Sequence, residues 1–419
     1  MKRAAPLRSI LGGAAGNLVE WFDWYVYSAF SLYFAKAFFP GQDQTAQFLA
    51  TSGIFWIGFL MRPIGGWLLG RIGDRYGRRT ALAWSVALMG GGSLLLAAIP
   101  GYAQIGIAAP ILLMCARIVQ GLSLGGEYGA AATYLSEIAP EGRRGLWSSF
   151  QYVTLYGGQL LALAFLLGLQ ASGASEAAMS GWGWRLAFVV GAALAFGVYL
   201  LRRNIDESPV FASEAAPERR AGGIAELWFN HRRAVLIAFG LAIGSNVAFY
   251  TYTTYMQKYL VVSSGFAKPA ASQICALATI IAILLQPALG VLSDRIGRKP
   301  LLYWFAIGGI VGTVPLMTAI GRTHNPLVAF ALVLTALVIL SGATATNAIV
   351  KAELFPPHVR VLGVGLPYAI SQSIFGGSAE AFALSLKQAG HESYYFWYVT
   401  AMIGVALVAT IALRERRGI

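Results

Sequence analysis

Polar residues along this chain interrupt long apolar runs rather than alternating with them. Stretches long enough to cross a hydrocarbon core of ~30 Å recur near residues 10–37, 45–69, 80–99, 106–134, 146–170, 184–203, 232–260, 269–291, 300–320, 326–350, 361–387 and 393–413. Each predicts a membrane-spanning helix. The longest polar connection, Arg202 to Arg233, holds most of the mid-chain acids and the breaks Ser208-Pro209 and Ala216-Pro217. It predicts a linker, with room for short surface helices, between a first unit at residues 1–203 and a second at 232–419, the linker itself being 204–231.

The polar punctuation repeats. Gly70 to Arg79 reads Gly-Arg-Ile-Gly-Asp-Arg-Tyr-Gly-Arg-Arg, and Gly290 to Lys299 reads Gly-Val-Leu-Ser-Asp-Arg-Ile-Gly-Arg-Lys, placing Asp74 with Asp294, Arg75 with Arg295 and Arg78 with Arg298. Each copy follows the second span of its half. Glycines permit a tight connection between antiparallel helices, arginines hold it on the cytoplasmic side, and the aspartate pairs with them or caps a helix. A single copy reads equally well as a positively charged turn and nothing more. Two copies in register, with the further echo of Glu137-Ile-Ala-Pro140 in Glu353-Leu-Phe-Pro356, predict a duplicated six-span architecture.

Composition narrows the classes further. Of 419 residues, 57% are hydrophobic and 12% charged, and mean hydropathy is +0.63, which does not suit a soluble enzyme with a polar surface. Cys115 and Cys275 both fall in apolar runs, so they read as core thiols rather than a disulfide framework. The basic start Met1-Lys-Arg leads into an apolar run broken by Asn17, Glu20 and Asp23 with no clear cleavage site, which reads as an uncleaved first span. Most Lys and Arg fall at the termini and after even-numbered spans, so both termini are expected in the cytoplasm. The formal net charge of +13 follows from that topology, and no soluble basic domain points to nucleic acid.

The repeated loop is similar to the signature of the major facilitator superfamily. Gly16-Asn-Leu-Val-Glu-Trp-Phe-Asp-Trp-Tyr-Val-Tyr27, Arg117-Ile-Val-Gln-Gly-Leu-Ser-Leu-Gly-Gly-Glu-Tyr128 and Asp206-Glu-Ser-Pro-Val-Phe211 resemble its metabolite:proton symporters. Gly158-Gln-Leu-Leu-Ala162, Tyr255-Met-Gln-Lys-Tyr259, Lys351-Ala-Glu-Leu-Phe-Pro356, Gly376-Gly-Ser-Ala-Glu380 and Ala383-Leu-Ser-Leu-Lys387 resemble those members that carry α-ketoglutarate. The resemblance implies an all-α membrane protein of two pseudo-symmetric six-helix bundles. It also implies alternating access in a bacterial inner membrane, with inward proton symport of α-ketoglutarate or a close dicarboxylate. A monomer without cofactor or metal is expected.

Charged residues at membrane depth are the chemical candidates, because each costs roughly 2.5–3.5 kcal/mol on insertion scales and those retained pair or line a wet cavity. Asp23 in the first span and Arg117 in the fourth reach comparable depth from opposite faces. Either they form a permanent ion pair, or Asp23 takes and releases a proton while Arg117 moves between it and the substrate. The resemblance favours the second, since proton-coupled relatives use a first-span aspartate with a fourth-span arginine. Glu20 lies one turn from Asp23 on the same face and shares or tunes its proton. Glu380 is either a proton carrier or the partner of Lys387. A dianion needs cationic anchors, and Arg62 and Arg117 are the arginines inside spans; Arg62 reads alternatively as a residue that snorkels to water. Tyr27, Gln159, Asn246, Tyr250 and Gln372 line the cavity or join helices. Asp74, Arg75, Arg78, Asp294, Arg295 and Arg298 bias the two conformations.

Rival classes lack their residues. No Gly-x-x-x-x-Gly-Lys-Ser/Thr motif serves an ATP-driven pump. His231, His324, His358 and His391 are scattered without metal or triad spacing for a membrane enzyme. A receptor that only binds a metabolite, and symport of another carboxylate, shikimate or a zwitterionic osmolyte, stay open.

Overall fold

A computed structural model of the chain describes residues 7–414 apart from 77, 124–127, 129–131, 134, 137–138 and 204–223. With short breaks in some, every predicted stretch is mostly helix over its described residues. In the first half these are α1 (Leu7–Phe38), α2 (Gln44–Leu60), α3 (Arg62–Tyr76), α4 (Arg78–Ala98), α5 (Ala108–Ser123), α6 (Arg144–Ala171) and α7 (Trp184–Arg203). The second half contributes α8 (Ile224–Tyr250), α9 (Met256–Val262), α10 (Lys268–Ile296), α11 (Lys299–Arg322), α12 (Pro326–Thr344), α13 (Asn347–Leu354), α14 (Arg360–Ser371), α15 (Ala379–Gln388) and α16 (Glu392–Ala412). Among the described residues, eight helices are long and apolar enough to span a membrane, and two shorter apolar helices accompany them. The fold is that of two pseudo-symmetric six-helix bundles.

Burial separates the helices by role. α1 carries Trp21, Phe22, Trp24, Tyr25, Val26 and Tyr27 around Asp23, all buried, so it is buried on every face and central rather than at the surface. Its counterpart α8 is likewise buried over its last turns, from Ile243 to Tyr250. Helices outside them turn Trp67, Phe196, Leu284 and Leu327 outward, an apolar exterior suited to lipid. Cys115 belongs to that exterior, whereas Cys275 is buried; the expectation of two core thiols holds for Cys275 only, because Cys115 sits on the outer face of α5 beside exposed Ile111 and Leu112.

Four spans are broken within their length, and buried polar residues lie at the breaks. The second span divides at Met61, beside Pro63, whose ring removes a helical donor; Arg62 follows the break and is buried. A π turn, Thr251–Tyr255, joins α8 to α9. A second, Gln372–Gly376, lies between α14 and α15. Ala345 and Thr346 separate α12 from α13. Such interruptions spoil regular hydrogen bonding and are retained mostly where a site needs the altered register. Close approach is specified by glycine: a Cβ on Gly158 of α6 would lie 2.6 Å from Trp21 Cβ and 2.8 Å from Phe22 N of α1.

Candidate functional site

The centre of the molecule is built on Trp24 of α1. The Arg117 guanidinium from α5 lies 3.9 Å from its ring centroid and that of Arg62 lies 4.5 Å away. Arg117 also faces Tyr27 at 4.4 Å, and Arg62 faces Phe59 at 4.3 Å. Aromatic faces attract a desolvated cation by about 2 kcal/mol or more, which positions the guanidiniums without occupying their donors. Nε and Nη2 of both arginines, with Trp24 Nε1 and Tyr25 OH, have no hydrogen-bond partner among the described residues. Buried donors are nearly always paired. Such a concentration of unpaired donors around two guanidiniums is chemically able to receive an anion.

Asp23 and Arg117 are brought together, but through an intermediary. Arg117 Nη1 donates to Gln120 Oε1 at 2.6 Å, and Gln120 Nε2 donates to Asp23 Oδ2 at 2.5 Å and to Ser93 Oγ at 2.9 Å. Ser93 donates in turn to Asp23 Oδ1. The direct pairing considered from sequence is therefore replaced by a relay in which Gln120, one turn from Arg117, reads both charges. Sequence reasoning missed Gln120 and Ser93; the signal for Gln120 was its spacing of three residues from Arg117 on one face. Glu20 is buried one turn from Asp23 on α1.

On the second half, Gln372 Oε1 accepts from Arg62 Nη1, while its Nε2 donates to Tyr250 OH and Tyr368 OH, each at 2.9 Å. Gln372 thus joins the Arg62 anchor to the opposite bundle. Tyr27 OH donates to Thr51 O at 3.0 Å, and Asn246 Nδ2 donates to Ser371 Oγ at 3.2 Å, so Asn246 joins α8 to α14. Gln159 Oε1 has no partner among the described residues and faces a cavity of ≈ 10 Å³ shared with Tyr25, Ser28, Thr254, Gln257 and Cys275. That space holds about one water and no dicarboxylate. The conformation is closed around its centre.

Toward one face, Glu380 is paired with Lys258. Its carboxylate also accepts from Ser28 at 3.3 Å and from Ser52, so a charge of the second bundle is clasped by hydroxyls of the first. Of the two roles open to Glu380, partner of Lys387 is overturned: Lys387 pairs with Glu392 at 3.3 Å, because the break at Gly377 and Ser378 aims Glu380 toward α9 instead. Nearer the surface on this side, Gln388 Nε2 donates to Asp43 at 3.0 Å and Lys268 pairs with Glu176. Asp43 caps α2 by accepting from Thr45 N and Ala46 N at 2.9 and 3.1 Å.

The opposite face closes on the repeated motif. Asp294 accepts from Gly145 N at 2.7 Å and Leu146 N at 3.0 Å, first-turn amides of the α6 N-terminus that have no carbonyl partner within the helix, where a negative charge is stabilised by roughly 0.3–2 kcal/mol. Arg298 holds Asp294 at 2.8 Å and reaches Glu353 at 3.5 Å. A Cβ on Gly290 would lie 2.8 Å from Gly145 O and 2.9 Å from Ser149 Oγ, so the bundles touch backbone to backbone. Arg295 is exposed and turned away from this clasp. The side chains of Asp74, Arg75 and Arg78 lie outside the described residues. Nearby, the fold gathers histidines that the sequence scatters: Glu226, His231 and His358 place their ligand atoms within 4.8 Å of one another, and His358 Nε2 meets Glu226 Oε1 at 3.0 Å.

Comparison with known proteins places this arrangement. The family model described as the Major Facilitator Superfamily matches residues 13–379. The chain is 50% identical over 97% of its length, and 94% of the relative's, to the alpha-ketoglutarate permease of Escherichia coli strain K12. It is 32% identical to the citrate-proton symporter of Salmonella typhi, covering 99% of this chain and 96% of that one. It is 30% identical to the proline/betaine transporter of E. coli K12, covering 97% and 83%. Among solved structures, the xylose transporter XylE of E. coli in a partially occluded inward-open conformation superposes with a TM-score of 0.75 at 19% identity, covering 97% of this chain and 98% of that one.

Proposed function

Because the chain belongs to the Major Facilitator Superfamily, we propose that it is a proton-coupled importer of α-ketoglutarate or a close dicarboxylate. It acts as a monomer in a bacterial inner membrane, with both termini and the Asp294 gate cytoplasmic. The units at residues 1–203 and 232–419, joined through 204–231, rock about the central site. The observation that carries this reading is the pair of buried guanidiniums, Arg62 and Arg117, each with Nε and Nη2 unpaired and one of them relayed to a buried carboxylate through Gln120. Likeness to the permease of E. coli supplies the substrate class.

The geometry supports a simple coupling cycle. With Asp23 ionised, Gln120 is shared between its carboxylate and Arg117. A proton arriving at Asp23 removes the charge that Gln120 serves, and the Arg117 guanidinium becomes available to a substrate carboxylate bidentately. Arg62 takes the other end, with Gln372 and Tyr250 bringing the second bundle onto the ligand; Tyr27, Gln159 and Asn246 complete the wall. Glu20 tunes or shares the proton on α1. Glu380 serves as a second proton site only if Lys258 finds another anion, because stripping one partner from a buried ion pair costs about 3–5 kcal/mol; the incoming substrate is that anion. Asp74, Arg75 and Arg78, with Asp294, Arg295 and Arg298, set the balance of the two conformations.

Labelled α-ketoglutarate uptake into proteoliposomes tests this, with acid outside, with and without a protonophore, for wild type beside Asp23→Asn. Wild type should accumulate substrate only while the gradient lasts. The variant should exchange substrate but fail to accumulate it. Wild type that binds and moves citrate or betaine and not α-ketoglutarate would transfer the reading to that substrate.

A further inference from the structure

Lys351 takes no part in the cycle above. It stands on α13, one turn beyond Asn347, whose Nδ2 donates to Tyr152 OH at 2.6 Å, and just before Glu353, which meets Arg298 at the gate. The side chain is fully buried, and Nζ has no hydrogen-bond partner among the described residues. It lies 4.6 Å from the Tyr368 ring centroid and 5.5 Å from that of Tyr128, two rings stacked 3.5 Å apart. An ammonium has three donors and no acceptor, and ring faces attract its charge without accepting those donors in the way an oxygen does. Buried charges in proteins are paired. A lysine placed so deep with no acceptor fits a visiting anion.

Its position says when the anion comes. Tyr368 OH accepts from Gln372, which accepts from Arg62, so the Tyr368 ring separates Lys351 from the Arg62 anchor. Tyr128 belongs to the first bundle and Tyr368 to the second, so their stack must part whenever the bundles separate on the Asp294 side. We propose that Lys351 is a second carboxylate-binding station between the central arginines and the Asp294 gate, masked by the Tyr128–Tyr368 stack and exposed when that side opens. It receives the far carboxylate of a dicarboxylate leaving the arginines, and so divides one long transfer between guanidinium and water into two shorter ones. The station rests on the dicarboxylate reading above.

The test compares α-ketoglutarate with 2-oxovalerate, which has a methyl where the far carboxylate stands. Half-saturation is measured in proteoliposome counterflow on each side of the membrane, 2-oxovalerate being read by competition. Wild type should prefer the dicarboxylate on both sides. In Lys351→Met the gate-side half-saturation for α-ketoglutarate should rise about tenfold or more, the loss expected for a hydrogen bond to a charged group. The opposite side and both values for 2-oxovalerate should stay within about twofold. Lys351→Arg should retain the wild-type preference. Should Lys351→Met not fold, Lys351→Gln, uncharged but polar, is read in the same way. Equal weakening of both ligands, or an unchanged gate-side preference, overturns the station while wild-type preference for the dicarboxylate leaves the function standing. A wild type blind to the far carboxylate brings down the dicarboxylate reading and the station with it.

Discussion

Gln120 decides how Asp23 and Arg117 feel each other. A direct pair would lock the arginine against the carboxylate, whereas an amide that accepts from one and donates to the other lets either charge leave without stranding the other wholly unpaired. Gln120→Leu removes both bonds at similar volume. We expect gradient-driven accumulation of substrate to fall about tenfold or more, in line with roughly 1.5–3 kcal/mol for a hydrogen bond to a charged group, while substrate exchange persists; uptake and exchange assays in the same proteoliposomes separate the two. The depth of Asp23, Arg62 and Arg117 was legible from position within apolar runs. Their partners were not. Lys258 finds Glu380 far along the chain, and in sequence it reads only as a lysine near the end of a span, with Lys387 the nearer candidate. Pairings of that kind depend on how a helix is rotated after a break, which hydropathy does not encode.

At the scale of elements, the apolar runs marked where the helices lie, eight of them long and apolar enough to span among the described residues, because lipid imposes length and composition on each. The interruptions inside them were invisible, since the π turns at Thr251–Tyr255 and Gln372–Gly376 are spelled with ordinary helix-tolerant residues. The gate shows what such detail does. α6 and α10 meet at Gly145 and Gly290 with no room for a Cβ. Gly290→Leu should therefore hold that side open: spin labels at Glu141→Cys and Arg295→Cys, both exposed, should report a longer distance than in wild type, and net uptake should fall severalfold. An unchanged distance would mean the helices do not separate there. The opposite face is fastened differently. Asp43 is held below the usual aspartate range by the Ala46 N–H first and by the Gln388 amide next. A depressed carboxylate contributes above its unfolded pKa and is lost only as pH falls through the lower folded value, so this fastening persists to more acid pH than an unperturbed aspartate would allow.

For the whole molecule the limit is electrical. A negative charge entering a cell held at about −100 mV is opposed by about 2.3 kcal/mol, and a dianion by about twice that. One proton leaves half of the opposition and two remove it. We expect at least two protons per dianion, Asp23 carrying one and Glu20 or Glu380 the other. Uptake under imposed potassium diffusion potentials should not slow as the interior is made more negative; a slowing would refute the two-proton form. Duplication was readable at this scale from the repeated loops, and the closed state was not, because it depends on contacts between halves such as Asp294 with the α6 N-terminus.

Cys275 shares the small central cavity with Gln159 and Gln257, while Cys115 looks outward into what the apolar exterior marks as hydrocarbon. Of the two sulfurs, then, only Cys275 lies where water would enter if the centre opened. On the proposed cycle, that makes Cys275 a native chemical witness to alternation: a thiol reagent should reach it only when the centre opens, from one side in one half of the cycle and from the other side in the next.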